Sequence, residues 1–545
     1  MKSHCIPCSA CFRKFYFIIV LLLPLMARSA TTNLQTQLLK FCELPPIQFS
    51  LGFNFSTFEG FKLLGDKFDE DSEIASLPQR LNNAEKEPEA LAQIVLLLRK
   101  RELTNEASQA IKRVVDVYTA RLAINSNDVP ALIGLGKVLE EMGEEERSES
   151  LLRDAIRRAP GDWHTHSALA QFKSGQAWNI FTTETNSTKR TKVFSAEEVK
   201  RSEALLKEAR RLFDDAVRVS GGDGNARYER VRFLLLETAY LPMLQKVRGE
   251  NVKTNAILAM LNPEILADVR SSAASSKDYS AIATVAFLEA MTALKRADGF
   301  KAGDFEDIWK SLPEASKDVV AQAVKRLDTI AAELPALKAS AALECRAILQ
   351  FLLMNDPTNA VVSGKRALAL NPMRGSARWT LMAINSYEEE NATSILALAE
   401  ERLAVANSAP WHFYAARACD RLHRDSDAEA HARAGLRLEP NNIECLLSLA
   451  ALDLRRATNI VGLVKAMVSL KQVETALNTI TESFNAGKPK MEAATLKSLT
   501  AHASMLLAIY QALDDKKEEA LKTAQMALGY EPDNERFNEL ARLLK

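Results

Sequence analysis

Four segments of this 545-residue chain end alike: DAIRRAPGD (154–162), RALALNPMR (366–374), AGLRLEPNN (434–442) and MALGYEPDN (526–534). In each, a small residue stands five positions before a proline: Ala155/Pro160, Ala367/Pro372, Gly435/Pro440 and Ala527/Pro532. Proline cannot continue a helix, and it biases the residue before it away from helical geometry. Each segment is therefore the end of a helix, with a small residue in its last turns. Pro372 and Pro440 stand 68 residues apart, twice 34, and Ser126 in RLAINSNDVPA lies 34 residues before Pro160 in a proline-less copy of the same ending. A helix ending that recurs at this interval excludes one ordinary core. Each helix pair must instead bury its apolar stripe against the next pair.

The rest of the chain agrees with helix throughout. Glycine (20) and proline (18) are sparse, while apolar residues at 47% and charged residues at 26% match ordinary globular usage. From Leu77 on, helical periodicity dominates. ALAQIVLLLRKREL and ASQAIKRVVDVYTARLAI read as one pair, followed by ALIGLGKVLEEMG (131–143) and EERSESLLRDAIRRAP (145–160). Gly143 suits a helix C-terminus between the last two. Lys plus Arg equals Asp plus Glu at 70 each, so a global nucleic-acid footprint is absent.

These residues resemble the tetratricopeptide repeat family. That pattern asks for Leu-Gly in the first helix of the pair (helix A), small residues in both helices and a closing proline. In 129–162, Leu135, Gly136, Gly143, Ala155 and Pro160 fall in register. In 341–374, Phe351, Ala360, Ala367 and Pro372 do, and in 409–442, Ala416, Ala428, Gly435 and Pro440. The last repeat supplies Leu507, Ala508, Ala520, Ala527 and Pro532. The resemblance implies an all-α, right-handed solenoid of antiparallel helix pairs. It is uneven: the family's tryptophan and tyrosine positions are mostly not kept, and residues 225–340 are helical but out of phase.

The expected organisation runs as follows. Residues 1–29 form a signal peptide, with Lys2, Arg13 and Lys14 ahead of the apolar run FYFIIVLLLPLM (15–26) and cleavage after Ser29. A retained membrane anchor is the other reading, although the run is shorter than the ~20 residues that a spanning helix needs. Residues 30–75 form an extension that packs on the first helices. In it IQFSLGFNF (47–55) alternates like a strand, with Ile47, Phe49, Leu51, Phe53 and Phe55 on one face, and DKFDEDSE (66–73) is an acidic linker. Repeats fill 76–220, interrupted by an insertion at 174–198. A divergent helical region covers 221–340, more repeats cover 341–457, and a final repeat with a capping helix covers 458–545. Pro440 and Pro532 stand 92 residues apart, so that last part carries lengthened helices or an extra segment.

Signatures of chemistry are weak. Asp162, His164 and His166 in PGDWHTHSALAQF invite a metal reading, but histidines two apart on a helix point to nearly opposite sides. In the repeat frame Asp162 is a helix N-cap. Cys5, Cys8 and Cys11 would leave with the signal, and the remaining Cys42, Cys345, Cys419 and Cys445 do not make a disulfide framework, though one bridge is open. His423 and His431 with Asp425 and Asp427 read as polar turn residues. No G-x-x-x-x-G-K-[ST] loop and no G-x-S-x-G elbow occurs. SGGDGNA (220–226) reads as a turn. No catalytic, metal or cofactor-binding residue is assigned. Sequons stand at Asn54, Asn186 and Asn391.

The family resemblance implies a groove lined by helix A that binds proteins or peptides. Its contact positions fall here on Lys137, Glu140, His164, Gln171, Trp379, Tyr387, Phe413, Arg417, Asp420, Arg421 and Arg455. Aromatic and arginine residues are the usual anchors of interfaces, which makes Trp379–Arg421 the preferred stretch, with core packing the competing role for Trp379 and Phe413. The expectation is an exported, non-catalytic scaffold of the bacterial envelope whose partner is a protein or peptide, not nucleic acid. A membrane enters only if the signal is kept as an anchor. The alternative is a polysaccharide-acting enzyme with an (α/α) toroid, using Tyr228, Arg232, Glu237 and Tyr240.

Overall fold

The computed structural model describes residues 37–42, 53–54, 62–63, 81–82, 104–182, 195–247, 263–275, 277–295, 305–372, 374–386, 391–404, 407–457, 459–485 and 493–545. The signal segment, the acidic linker and the first helix of the earliest expected pair lie outside them. Among the described residues, no helix is long and apolar enough to cross a membrane.

The chain is all-α, built of tetratricopeptide-like antiparallel helix pairs, and it divides into two compact units. Of the described residues, the larger unit takes those from 53 to 386, and the C-terminal unit those from 37 to 42 and from 391 to 545. The division between 386 and 391 falls inside the stretch 341–457 that the sequence reads as one block.

In the larger unit, α1 (Thr104–Ile124) packs on α2 (Val129–Glu141). The pairs are then α2 with α3 (Glu145–Arg158), and α4 (Trp163–Thr182) with α5 (Ala196–Val219). Next come α6 (Gly224–Val247) with α7 (Pro263–Ser275), and α8 (Tyr279–Ala293) with α10 (Glu314–Ala331), the short α9 (Phe305–Ser311) lying between them in sequence. The unit closes with α11 (Ala336–Leu352), α12 (Pro357–Leu370) and α13 (Gly375–Ser386).

In the C-terminal unit, α14 (Ala392–Leu403) packs on α15 (Ala409–Arg421), which pairs with α16 (Asp425–Leu438). Then α17 (Ile443–Arg455) pairs with α18 (Ile460–Asn485), and α19 (Ala493–Leu513) with α20 (Lys517–Tyr530). The capping helix α21 (Glu535–Leu543) packs on α20 and buries Phe537, Leu540 and Ala541. The A helices α15, α17 and α19 touch in succession.

The recurrent endings have local causes. Two residues past three of the four closing prolines, Asp162, Asn442 and Asn534 cap the next A helix. Their side-chain oxygens accept the backbone N–H of His164 at 3.0 Å, of Cys445 at 3.0 Å and of Arg536 at 3.1 Å. Such caps satisfy donors that a helix start leaves open. Gly143 ends the stretch after α2 with φ +78°, a conformation that costs glycine nothing. Inside the pairs and between them, small residues allow close approach. A Cβ on Gly136 would stand 2.9 Å from Leu152 Cδ2, and one on Gly364 2.7 Å from Leu381 Cδ2. The buried Ser148 hydroxyl donates to the Gly136 carbonyl at 2.7 Å, tying α3 to α2.

The structure adds detail to several expectations. The insertion does not interrupt at 174, because α4 continues through Thr182; α5 starts at Ala196 behind a capping box of Ser195 and Glu198. Region 221–340 is made of helix pairs like the rest, but α8 buries every residue from Ala281 to Met291 and so shows no amphipathic stripe. The lengthened helices of the last part are α18, 26 residues, and α19, 21 residues. The extension does not pack on the first helices where it is described. Leu38, Phe41 and Cys42 join the core of the C-terminal unit with residues of α17, α19 and α21. Of the expected strand, Phe53 and Asn54 pair antiparallel with Leu63 and Lys62, and the remainder lies outside the described residues. The four cysteines form no disulfide and are buried thiols.

Candidate functional site

A charged face forms on A helices of the larger unit, and a largely buried ion network on A helices of the C-terminal unit. In the larger unit, Lys137 and Glu140 come from α2, Gln171 from α4, and Glu229 and Arg232 from α6. The Gln171 amide donates to Glu229 at 2.8 Å, and Arg232 pairs with Glu229 at 2.9 Å. Lys137 stays open to solvent, yet the surrounding protein lowers its pKa by desolvation, with Glu229 and Glu140 opposing. Burial pushes the Glu140 carboxyl up to about 7. Asp278, the N-cap of α8, is also raised by burial, with Glu229 adding to the shift. Charges crowded this way, with partial loss of water, suit a surface that a second polar molecule completes.

His164 does not join this face. It is exposed, stacks on Trp163 with ring centroids 3.8 Å apart, and its Nδ1 lies 2.7 Å from Asp162 Oδ1. His166 is buried, with Nε2 3.0 Å from the Pro160 carbonyl. The motif is thus a helix start in which the histidines serve different neighbours. Trp379 is 9% exposed in α13 and packs in the larger unit's interior; Tyr387 lies outside the described residues.

In the C-terminal unit, Phe413, Arg417, Asp420 and Arg421 lie on α15 and Arg455 ends α17. Phe413 is buried against Tyr414, ring centroids 5.2 Å apart. Arg417, 5% exposed, lies 3.5 Å from Asp420, and burial pushes its pKa down to about 10. The Arg455 guanidinium bridges Asp420 and Asp425, the latter at 2.9 Å. Arg421 alone of this set is exposed. Farther along the same unit, the His502 ring meets Phe537 edge-on at 5.3 Å, and Arg536 on α21 lies close enough to both His502 and Arg417 to depress their protonation.

The other polar groupings pair with near neighbours. Asp425 serves Arg455, Asp427 pairs with Arg424 at 2.8 Å, and His431 faces His412 with Nδ1 atoms 3.1 Å apart. Tyr228 is buried and bonds Thr284 at 2.9 Å, while Glu237 pairs with Arg210 at 3.0 Å, so these two serve different neighbours. Glu229 and Asp278 escaped the sequence reading because no repeat frame could be laid over 225–340. Arg536 escaped it because its contact with the Phe41 carbonyl spans 495 residues.

No family model and no curated protein matches the chain. Among solved structures it is similar to yeast Tom70, at 12% identity and a TM-score of 0.33 over 87% of this chain and 94% of that one. It is similar to the APC/C hetero-tetramer Cut9-Hcn1, at 12% identity and a TM-score of 0.23 over 83% and 96%. It is also similar to a tetratricopeptide repeat protein from Parabacteroides merdae, at 14% identity and a TM-score of 0.25 over 68% and 99%. What identifies the tetratricopeptide-like fold is the chain's own geometry: helix pairs closed by proline, restarted by capped A helices and drawn together at Gly136, Gly364 and Gly435.

Proposed function

We propose that this chain is an exported, non-catalytic scaffold that holds protein partners on its A-helix faces and helps assemble components of a cell envelope. The observation that carries the reading is the convergence of Lys137, Glu140, Gln171, Glu229 and Arg232 from three successive A helices. Charged groups spread over one helix stabilise only that helix. Groups aligned across successive repeats present a continuous surface, and charge matching on such a surface selects partners and speeds encounter. Export rests on the signal-like residues 1–29, and the envelope on the style of the repeats.

Quantitative capture tests this reading. Tagged chain is incubated with an envelope extract of the source organism, and bound proteins are compared between the native chain and Lys137→Glu/Gln171→Ala. Lys365→Glu, an exposed change on the B helix α12, serves as control. The expected result is loss of at least one specific partner by about tenfold, which corresponds to about 1.4 kcal/mol, in the double variant alone. An unchanged set of partners contradicts the assignment of this face.

A further inference from the structure

The segment Gln37-Leu38-Leu39-Lys40-Phe41-Cys42 makes one helical turn and buries Leu38, Phe41 and Cys42 while Gln37 and Lys40 face solvent. The buried positions follow an i, i+3, i+4 spacing, the stripe of an amphipathic helix. Leu38 is 1% exposed, Phe41 8% and Cys42 0%. They enter the core formed by Ile443, Leu447, Met505 and Phe537, among others, on the A helices α17, α19 and α21. The Arg536 guanidinium donates to the Phe41 carbonyl at 3.4 Å. Arg536 precedes Phe537, whose ring meets that of His502 on α19, so the segment sits beside the A helices α19 and α21. Phe537, at the edge of the His502 ring, belongs to the same core as Leu38.

An isolated turn of this length has almost no helical stability of its own. Its order comes from the surface it sits on, which means that surface selects a short amphipathic helix. We propose that residues 37–42 are a cis-acting occupant of the C-terminal A-helix groove, and that the partner this groove accepts is a short amphipathic helical peptide with apolar residues at i, i+3 and i+4. Such a partner must displace the segment, so the groove is autoinhibited. This rests on the scaffold reading above and adds to it the class of ligand and its regulation.

The test uses the full chain and a fluorescent peptide covering residues 34–44 with Cys42→Ala, read by anisotropy. The variant Leu38→Asp/Phe41→Asp leaves the groove uncovered. If the segment occupies the groove for about 90% of the time, the native chain binds the peptide about tenfold more weakly than the variant. A peptide carrying Asp at both positions binds neither. Equal binding by native chain and variant overturns the cis-occupancy while leaving the groove. Binding to neither overturns the ligand class, and leaves the capture result on the Lys137 face untouched.

A second measurement guards against a variant that fails to fold. In the native chain, alkylation of Cys42 is mapped by mass spectrometry beside that of Cys445, which is buried inside α17. Excess peptide is expected to raise the Cys42 rate by about tenfold, the docked population having fallen accordingly, and to leave Cys445 unchanged. A Cys42 rate that peptide does not alter overturns the proposal.

Discussion

Gly435→Ala is expected to destabilise the C-terminal unit and Gly435→Leu to abolish its native packing. Gly435 lies in α16, where a Cβ would stand 2.6 Å from Cys445 Sγ on α17 and 3.4 Å from both the Ala409 carbonyl and His412 Cβ on α15. Three helices meet at this point. A cysteine side chain is short and has no flexible end to swing away, so the helices themselves must move apart. Overpacking of this kind costs about 1–3 kcal/mol for small additions, and a leucine adds far more volume than a methyl group. For a unit of this size, Gly435→Ala then lowers the thermal midpoint by roughly 3–10 °C. Gly529→Ala is the control. Nothing lies within 4 Å of its would-be Cβ. There, one residue from the end of α20, alanine is favoured by at most about 0.5–1 kcal/mol. Thermal unfolding followed by circular dichroism checks both. A Gly435→Ala midpoint equal to the native one contradicts the claim that this glycine sets the helix spacing.

The second large effect concerns Asp420. It is 9% exposed and lies between Arg455, whose guanidinium it accepts from, and Arg417, at 3.5 Å. Arg417 carries its charge in a place where burial already pushes its pKa down to about 10. Its arginine neighbours add to that pressure, and Asp420 is the group that opposes it. Removing one member of a buried ion pair typically costs about 3–5 kcal/mol, because the remaining charge stays buried. Asp420→Ala is therefore expected to lower the urea midpoint strongly. The second change Arg417→Met should restore much of the loss, since an apolar side chain of similar length needs no counter-charge. If Asp420→Ala is neutral, or if Arg417→Met makes it worse, the network does not hold the α15–α17 junction.

Much of the fold is legible from a few residues. The pairs Ala155/Pro160, Gly435/Pro440 and Ala527/Pro532 mark helix ends because proline and small residues act locally, and Asp162, Asn442 and Asn534 mark the restarts for the same reason. Region 221–340 resists such reading because α8 is buried from Ala281 to Met291 and leaves no polar face there to set a period. The apolar spacing of Leu38, Phe41 and Cys42 is local, but where they dock is not: Phe41 and Arg536 are 495 residues apart. At the candidate faces, helix-A positions bring out Lys137, Gln171 and Arg455 where the frame holds. The same rule picks Trp379 and Phe413, which the structure buries, because a large aromatic residue on an A helix fits a groove and a core equally well in sequence.

Photo-crosslinking tests the central claim most directly. A benzophenone amino acid is placed singly at Lys137 and Arg421, both exposed on A helices, and at Lys365 and Lys522, both exposed on the B helices α12 and α20. Irradiation in cells is followed by identification of the adducts. The account predicts specific protein adducts at Lys137 and Arg421 and only background at Lys365 and Lys522. Adducts equally abundant at all four positions, or concentrated on the B helices, would contradict a scaffold that works through its A-helix faces.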